Sequence, residues 1–277
     1  MLKIFVPLLA LLLALPTSAQ TARAARKQAE SSVRVTGNVV IGTDGTVQEQ
    51  ALETPLSPKL QEFVTQAIQQ WRFEPVKVEG AVVRAKVPMS LRLVAHQAED
   101  GSFSVRIVGT HFGADSPEGR PKLIPKNPPK FPVNLMRAGI GGKVFLVVQV
   151  GADGNVRNVD AEQVNLYVAG TEQQMQIVRK QLADASISAA RKWKFTPPTE
   201  GPDVGKESWL ARVPVSFTMG NGRLKAGQWE TYIPGPRNVN IPWAQEKLKT
   251  AGSPDALPNS GVFSLEQDVK LLTPPTA

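Results

Sequence analysis

The 277-residue sequence has no cysteine, only two histidines and two tyrosines, and an aromatic content of 6%. The lack of cysteine excludes disulfides, thiol catalysis and thiolate metal sites. His96 and His111 stand fifteen residues apart without a neighbouring cluster of acids, so their spacing assigns them neither a metal nor a general-base role. No Ser/His/Asp arrangement or carboxylate pair has motif support. Gly139-Ile140-Gly141-Gly142 precedes a strand pattern rather than a helix, and so lacks the helix N-terminus that a phosphate cradle needs. The expectation is a protein that is not an enzyme, with no catalytic residue, no cofactor and no metal. Long apolar runs are missing too. The run Ile4 to Leu15 holds twelve apolar or proline residues, including Pro7, whereas a membrane span takes about 20. With Lys3 before it and Pro16-Thr17-Ser18-Ala19 after it, the run reads as a secretory signal peptide cleaved after Ala19. Acids are the scarcer charges, 24 against 32 bases, for a net charge of +8. Export makes anionic envelope polymers a more accessible counter-surface than nucleic acid, which is not expected as a partner.

What is present is an internal repeat. Trp71-Arg72-Phe73-Glu74-Pro75 returns as Trp193-Lys194-Phe195-Thr196-Pro197, each time after a helix-period pattern and before an alternating one. In the first copy Val33, Val35, Val39 and Ile41 alternate with polar residues as a half-buried strand. Asp44-Gly45 then predicts a tight hairpin turn, and Thr46 to Leu52 the returning strand. Ser57-Pro58 opens a helix whose apolar stripe runs through Leu60, Phe63, Val64, Ala67, Ile68 and Trp71. A strand through Val83 to Leu93 follows, with Arg84, Lys86 and Arg92, like Arg212 on the matching strand of the second copy, on an outward, solvated face. In the second copy Asp153-Gly154 stands 109 residues after Asp44-Gly45, Trp193 stands 122 after Trp71, and Trp209 stands 126 after Val83. Insertions therefore fall between matching segments. Thr171 and Gln174 predict a capping box for the second helix. Apart from the signal peptide (1–19), the predicted organisation is a flexible lead (20–32), a first unit (33–94), a linker (95–124) with a possible strand at Phe103 to Ile107, a second unit (125–219) and a proline-rich tail (220–277).

A strand, Asp-Gly, a returning strand, a helix ending in Trp-x-Phe-x-Pro and a strand with Val-Pro-Val-x-Phe together resemble the C-terminal domain of the TonB family. The second unit carries Phe131-Pro132, Gly142-x-Val144, Asp153-Gly154, Trp193-x-Phe195-x-Pro197 and Val213-Pro214-Val215-Ser216-Phe217, while the first is a degenerate copy with Val87-Pro88-Met89-Ser90-Leu91. The resemblance implies an α+β fold of two small domains, each a helix packed on an antiparallel three- or four-stranded sheet, in a Gram-negative envelope. It also implies an exposed sheet edge that accepts an extended segment of an envelope or outer-membrane protein by strand addition. The partner-binding candidates are Phe131, Pro132, Arg212, Val213, Pro214, Val215, Ser216 and Phe217, with Pro88 and Pro214 expected on edge strands because neither can donate to a ladder. The alternative occupant of that edge is the tail or the other unit. Energy-transducing members have an uncleaved transmembrane helix and a long proline-rich spacer. The short apolar run and short lead instead predict a soluble periplasmic binding module, open to homodimerisation by strand exchange. The alternative keeps residues 1–19 as the anchor of a TonB-type energy transducer for outer-membrane transport.

Overall fold

The computed structural model describes residues 29–97, 103–113, 121–124, 127–199, 203–219, 227–266 and 269–275; the expected signal peptide and most of the lead lie outside them. Period-two patterning becomes β1 (Glu30–Ile41), whose inward Val33, Val35, Val39 and Ile41 are fully buried. β2 (Val47–Leu52) returns along its second half. α1 (Pro58–Gln69) covers this face with Val64, Ala67 and Ile68. Pro58 occupies the first helical turn as predicted, but the side chain of Ser57 makes no cap hydrogen bond. β3 (Lys77–Val78) and β4 (Ala81–Val82) form a short hairpin. β5 (Ala85–Gln97) then pairs with β1 along the whole stretch from Ser31↔Ala95 to Ile41↔Ala85. The stretch 95–124, expected as a linker with a possible strand, supplies the ten-residue β6 (Phe103–Phe112), paired with β5.

A second antiparallel sheet follows the two-residue β7 (Leu123–Ile124) and the short α2 (Val133–Arg137). It contains β8 (Gly142–Gly151) between β9 (Val156–Leu166) and a strand after the second helix. That helix, α3 (Glu172–Ala190), starts in the predicted capping box: Gln174 N–H donates to Thr171 Oγ1 (3.2 Å) and Thr171 N–H to Gln174 Oε1 (2.9 Å). β10 (Lys194–Phe195) pairs with β7, and β11 (Ser208–Phe217) with β8. The proline-rich stretch adds β12 (Trp229–Tyr232), α4 (Gln245–Thr250), a single 3₁₀ turn at Pro254–Ala256 and β13 (Phe263–Ser264). These pieces are short, as its prolines require, but they are built into both sheets. β12 pairs with β1, β13 with β11, and Leu271 with Phe73, while Val269 joins the buried core under α1.

The repeated Trp-x-Phe segments do the same structural task twice. Phe73 N–H donates to Gly45 O (2.9 Å) and Phe195 N–H to Gly154 O (2.8 Å), so each segment is pinned to the hairpin turn of its own sheet. A Cβ at Gly45 or Gly154 would lie 2.1 Å from the Phe73 or Phe195 carbonyl oxygen, and both glycines have positive φ (79° and 77°). Glycine is therefore required there twice over, for backbone conformation and for close approach. The turn is not the predicted two-residue type. Of the Asp-Gly pair only the glycine takes positive φ, and the ladder shifts register between Val40 and Ile41. Asp44 instead accepts from Thr46 N–H (3.0 Å) and Thr46 Oγ1 (2.8 Å), and Asp153 accepts from Asn155 N–H (3.1 Å) and Asn155 Nδ2 (2.7 Å).

Those hydrogen bonds hold both carboxyls below the usual aspartate value of 3.8. A depressed folded-state pKa contributes stability that is present above the unfolded value and is lost as pH falls through the folded one. Asp44→Asn with Asp153→Asn is therefore expected to flatten the loss of stability below pH 3.8, measured by denaturant titrations across acidic pH. An unchanged acid limb would refute the assignment. Asp255 acts in the opposite sense, since burial raises its carboxyl, so comparison of the double variant with the wild type isolates the turns.

Candidate functional site

Strand addition needs an edge whose outward N–H and C=O groups are unpaired. The expected edge, the strand after each Trp-x-Phe segment, already has neighbours from its own chain. β6 lies along β5 from Met89 to Gln97, which makes β5 an interior strand there. Pro88 sits just past the last pair, with its carbonyl accepting from Gly113 N–H (2.8 Å). On β11 the outer neighbour is β13, at Ala211 and Arg212, with Leu265 N–H donating to Leu210 O (3.0 Å). That bond sets the phase: the backbone groups of Leu210, Arg212, Pro214 and Ser216 face away from β8. Pro214 therefore costs the β8 ladder no donor, the physical reason a proline is tolerated there.

The eight predicted partner-binding residues have different surroundings. The Phe131 ring meets Phe217 edge-on at 5.3 Å, and Pro132 occupies the N-cap position of α2. Val213 and Phe217 are buried in the core under α3, Pro214 is buried, Val215 is half-buried, and Ser216 is exposed. Arg212 overturns the expectation of an outward, solvated arginine: it is 4% exposed and donates to both oxygens of Glu162, at 2.7 Å each, in a bidentate pair. Burial pulls its pKa down and the Glu162 charge opposes that pull. Arg237 Nε also donates to Glu162 (2.7 Å) and carries α4 by donating to Leu248 O and Ala251 O.

Arg92 departs from the solvated reading in the same way. It is buried on the face of the first sheet opposite α1, donating to Asp255 O (2.6 Å) and lying 3.9 Å from Glu230. Glu230 also pairs with Lys143 of the second sheet (3.3 Å), while Asp255 accepts from Asn165 Nδ2 (2.6 Å) and Gln163 Nε2 (3.4 Å). Two cations and two carboxylates therefore join the sheets through the tail. Burial pulls the Lys143 pKa down, reinforced by the Arg92 charge and opposed by Glu230 and Asp255. The two histidines lie in the β5–β6 hairpin rather than in a linker, His111 opposite Ser90 and His96 opposite Ser104. Sequence reasoning missed Lys143, Glu162, Glu230, Arg237 and Asp255. Their partners are too distant along the chain for any spacing rule to pair them.

An open edge remains on the first sheet. Glu53 N–H donates to Thr36 O (2.9 Å), so by alternation Glu49 and Ala51 face β1 while Gln50 and Leu52 direct their backbone groups outward. Among the described residues no strand pairs with this outer side of β2. The corresponding strand of the second sheet, β9, has its outer edge partly closed by Leu166↔Ile233 and by Asn238 N–H donating to Glu162 O (2.7 Å).

A helix on an antiparallel sheet, closed by a Trp-x-Phe segment and retaining one bare edge, defines a small α+β type of domain. Consistent with that, residues 20–93 match the family model of the Gram-negative bacterial TonB protein C-terminal, which falls on the copy expected to be degenerate. The chain is 39% identical over 93 residues to "Protein TonB" of Xanthomonas campestris pv. campestris, in strains B100 and ATCC 33913, covering 34% of this chain and 35% of each relative. It thus spans about a third of the length of the curated relatives it matches. TonB-family proteins are energy-transducing or binding proteins, not enzymes. No solved structure matches the chain. Among the described residues no helix is long and apolar enough to cross a membrane, and no cluster of His, Cys, Asp and Glu could hold a metal ion.

Proposed function

We propose that the protein is an exported periplasmic TonB-like binding module that takes an extended segment of an envelope or outer-membrane protein as an added β-strand. The observation that carries this reading is the bare outer edge of β2, within the segment that matches the TonB C-terminal family. A second and shorter docking stretch in the same reading is the end of β11 at Val215–Ser216, beside Phe131 and Pro132; there the missing donor of Pro214 limits how far pairing extends. The second copy of the fold is part of this proposal, as are cleavage after Ala19 and the boundaries of the two units.

Two substitutions test it. Gln50→Pro removes an outward N–H from β2 without touching the β1 ladder, whereas Ala51→Pro breaks that ladder. Gln50→Pro is expected to abolish retention of envelope proteins on the immobilised chain while shifting the unfolding midpoint far less than Ala51→Pro. Undiminished retention by a folded Gln50→Pro protein would exclude this edge.

The relatives named "Protein TonB" favour a second reading, an anchored energy transducer that keeps residues 1–19. The intact mass of the protein recovered from cells separates the two: loss of Met1 to Ala19 supports the soluble module, and their retention supports the transducer.

A further inference from the structure

The turn after α3 carries charge that the fold does not require. Arg191, Lys192 and Lys194 are exposed there, and Lys122 is exposed immediately before β7, its carbonyl accepting from Thr196 N–H (2.9 Å). Phe195 and Leu123 are register partners directed into the core under α3. By alternation Lys194 and Lys122 stand on the opposite, outer face as diagonal neighbours, about 7–8 Å apart. Among the described residues none of the four has an ion-pair partner.

The first sheet shows the same turn with less of this charge. Phe73↔Leu271 corresponds to Phe195↔Leu123, and Glu74 N–H donates to Lys270 O (3.0 Å) as Thr196 N–H donates to Lys122 O. The places of Arg191 and Lys192 are held there by Gln69 and Gln70, that of Lys194 by Arg72, and that of Thr196 by Glu74. That carboxylate lies 3.8 Å from Lys270. Among the described residues the same backbone closure thus occurs once with two cations and a carboxylate, and once with four cations and no carboxylate partner. Attraction to the helix C-terminus accounts for Arg191 and Lys192. It does not account for Lys194, which lies on β10, or for Lys122, immediately before β7.

We infer that Lys122, Arg191, Lys192 and Lys194 form a docking face for an anionic phospholipid surface. Several flexible cations on one face are what such a surface rewards, at roughly fivefold in affinity per cation. Single-stranded nucleic acid is disfavoured because the aromatic residues here, Trp193 and Phe195, are 4% and 1% exposed and offer no stacking platform. This inference does not depend on the β2 edge, and Gln50→Pro is expected to leave lipid binding unchanged.

The test uses the full chain and compares partition into phosphatidylcholine vesicles with and without phosphatidylglycerol, at low and high salt. The ratio of the two partition coefficients cancels any apolar anchoring common to both vesicles. The quadruple variant K122Q/R191Q/K192Q/K194Q is expected to lower that ratio on the order of a hundredfold or more, and high salt to do the same to the wild type. K59Q/K77Q/K86Q/K249Q removes as much charge from exposed positions elsewhere and is expected to leave most of the binding. Equal losses in the two variants would reduce the effect to net charge and overturn the proposal, as would a ratio near one for the wild type. Equally tight binding of soluble polyglutamate, lost in the first variant, would overturn it in favour of an acidic polypeptide.

Discussion

Glu162→Gln is expected to destabilise the protein by roughly 3–5 kcal/mol, because removing one member of a buried ion pair leaves its partners charged and uncompensated. Glu162 is 0% exposed, Arg212 is 4% exposed, and the carboxylate is gripped at 2.7 Å by both guanidinium groups. Glutamine keeps the shape but can neutralise neither arginine, so the buried Arg212 and the partly exposed Arg237 would face each other without a counter-charge. Urea unfolding measures the loss, and a change under about 1 kcal/mol would show that water reaches the pair. Glu162→Leu with Arg212→Met should recover much of the loss, since an apolar replacement for a buried pair is often neutral.

Phe73→Ala and Phe195→Ala are each expected to cost about 3–5 kcal/mol. Each ring is nearly unexposed and packs edge-on against tryptophan, Phe73 on Trp71 at 6.2 Å and Phe195 on Trp193 at 6.3 Å. The form of the unfolding curve is as informative as the size of the loss. Arg92, Glu230, Lys143 and Asp255 join the two sheets, so both variants should shift a single shared transition. Two separate transitions, only one of which moves in each variant, would mean that the network contributes little to holding the sheets together.

Local signals in the sequence led directly to the turns, the α3 capping box and the buried aromatic positions, because each is decided by residues within a few places of one another. β1 was legible from alternation alone. Only part of β6 showed, as Phe103 to Ile107, because Gly109, Thr110 and His111 extend it without an apolar period. The arginines at 92 and 212 read as solvent-facing because alternation specifies two faces and cannot say that the second face is also covered. What covers it is the tail, whose prolines suggested irregular chain but gave no partner. The same limitation applied to the recognition edge. Sequence pointed to the strand after Trp-x-Phe, but β6 and β13 are supplied by segments with weak strand patterns, and they take that position on each sheet.

The return of the tail to the first sheet also bears on the order in which the chain can fold. Ser31 meets Thr231 across 200 residues and Arg72 meets Thr273 across 201, so β1 and the first Trp-x-Phe segment wait for residues made much later. Contacts that span so much of the chain carry a high loop-closure cost before they return any stability, and they slow folding. During synthesis the first sheet therefore stays unfinished until the residues near 231 and 273 have been added.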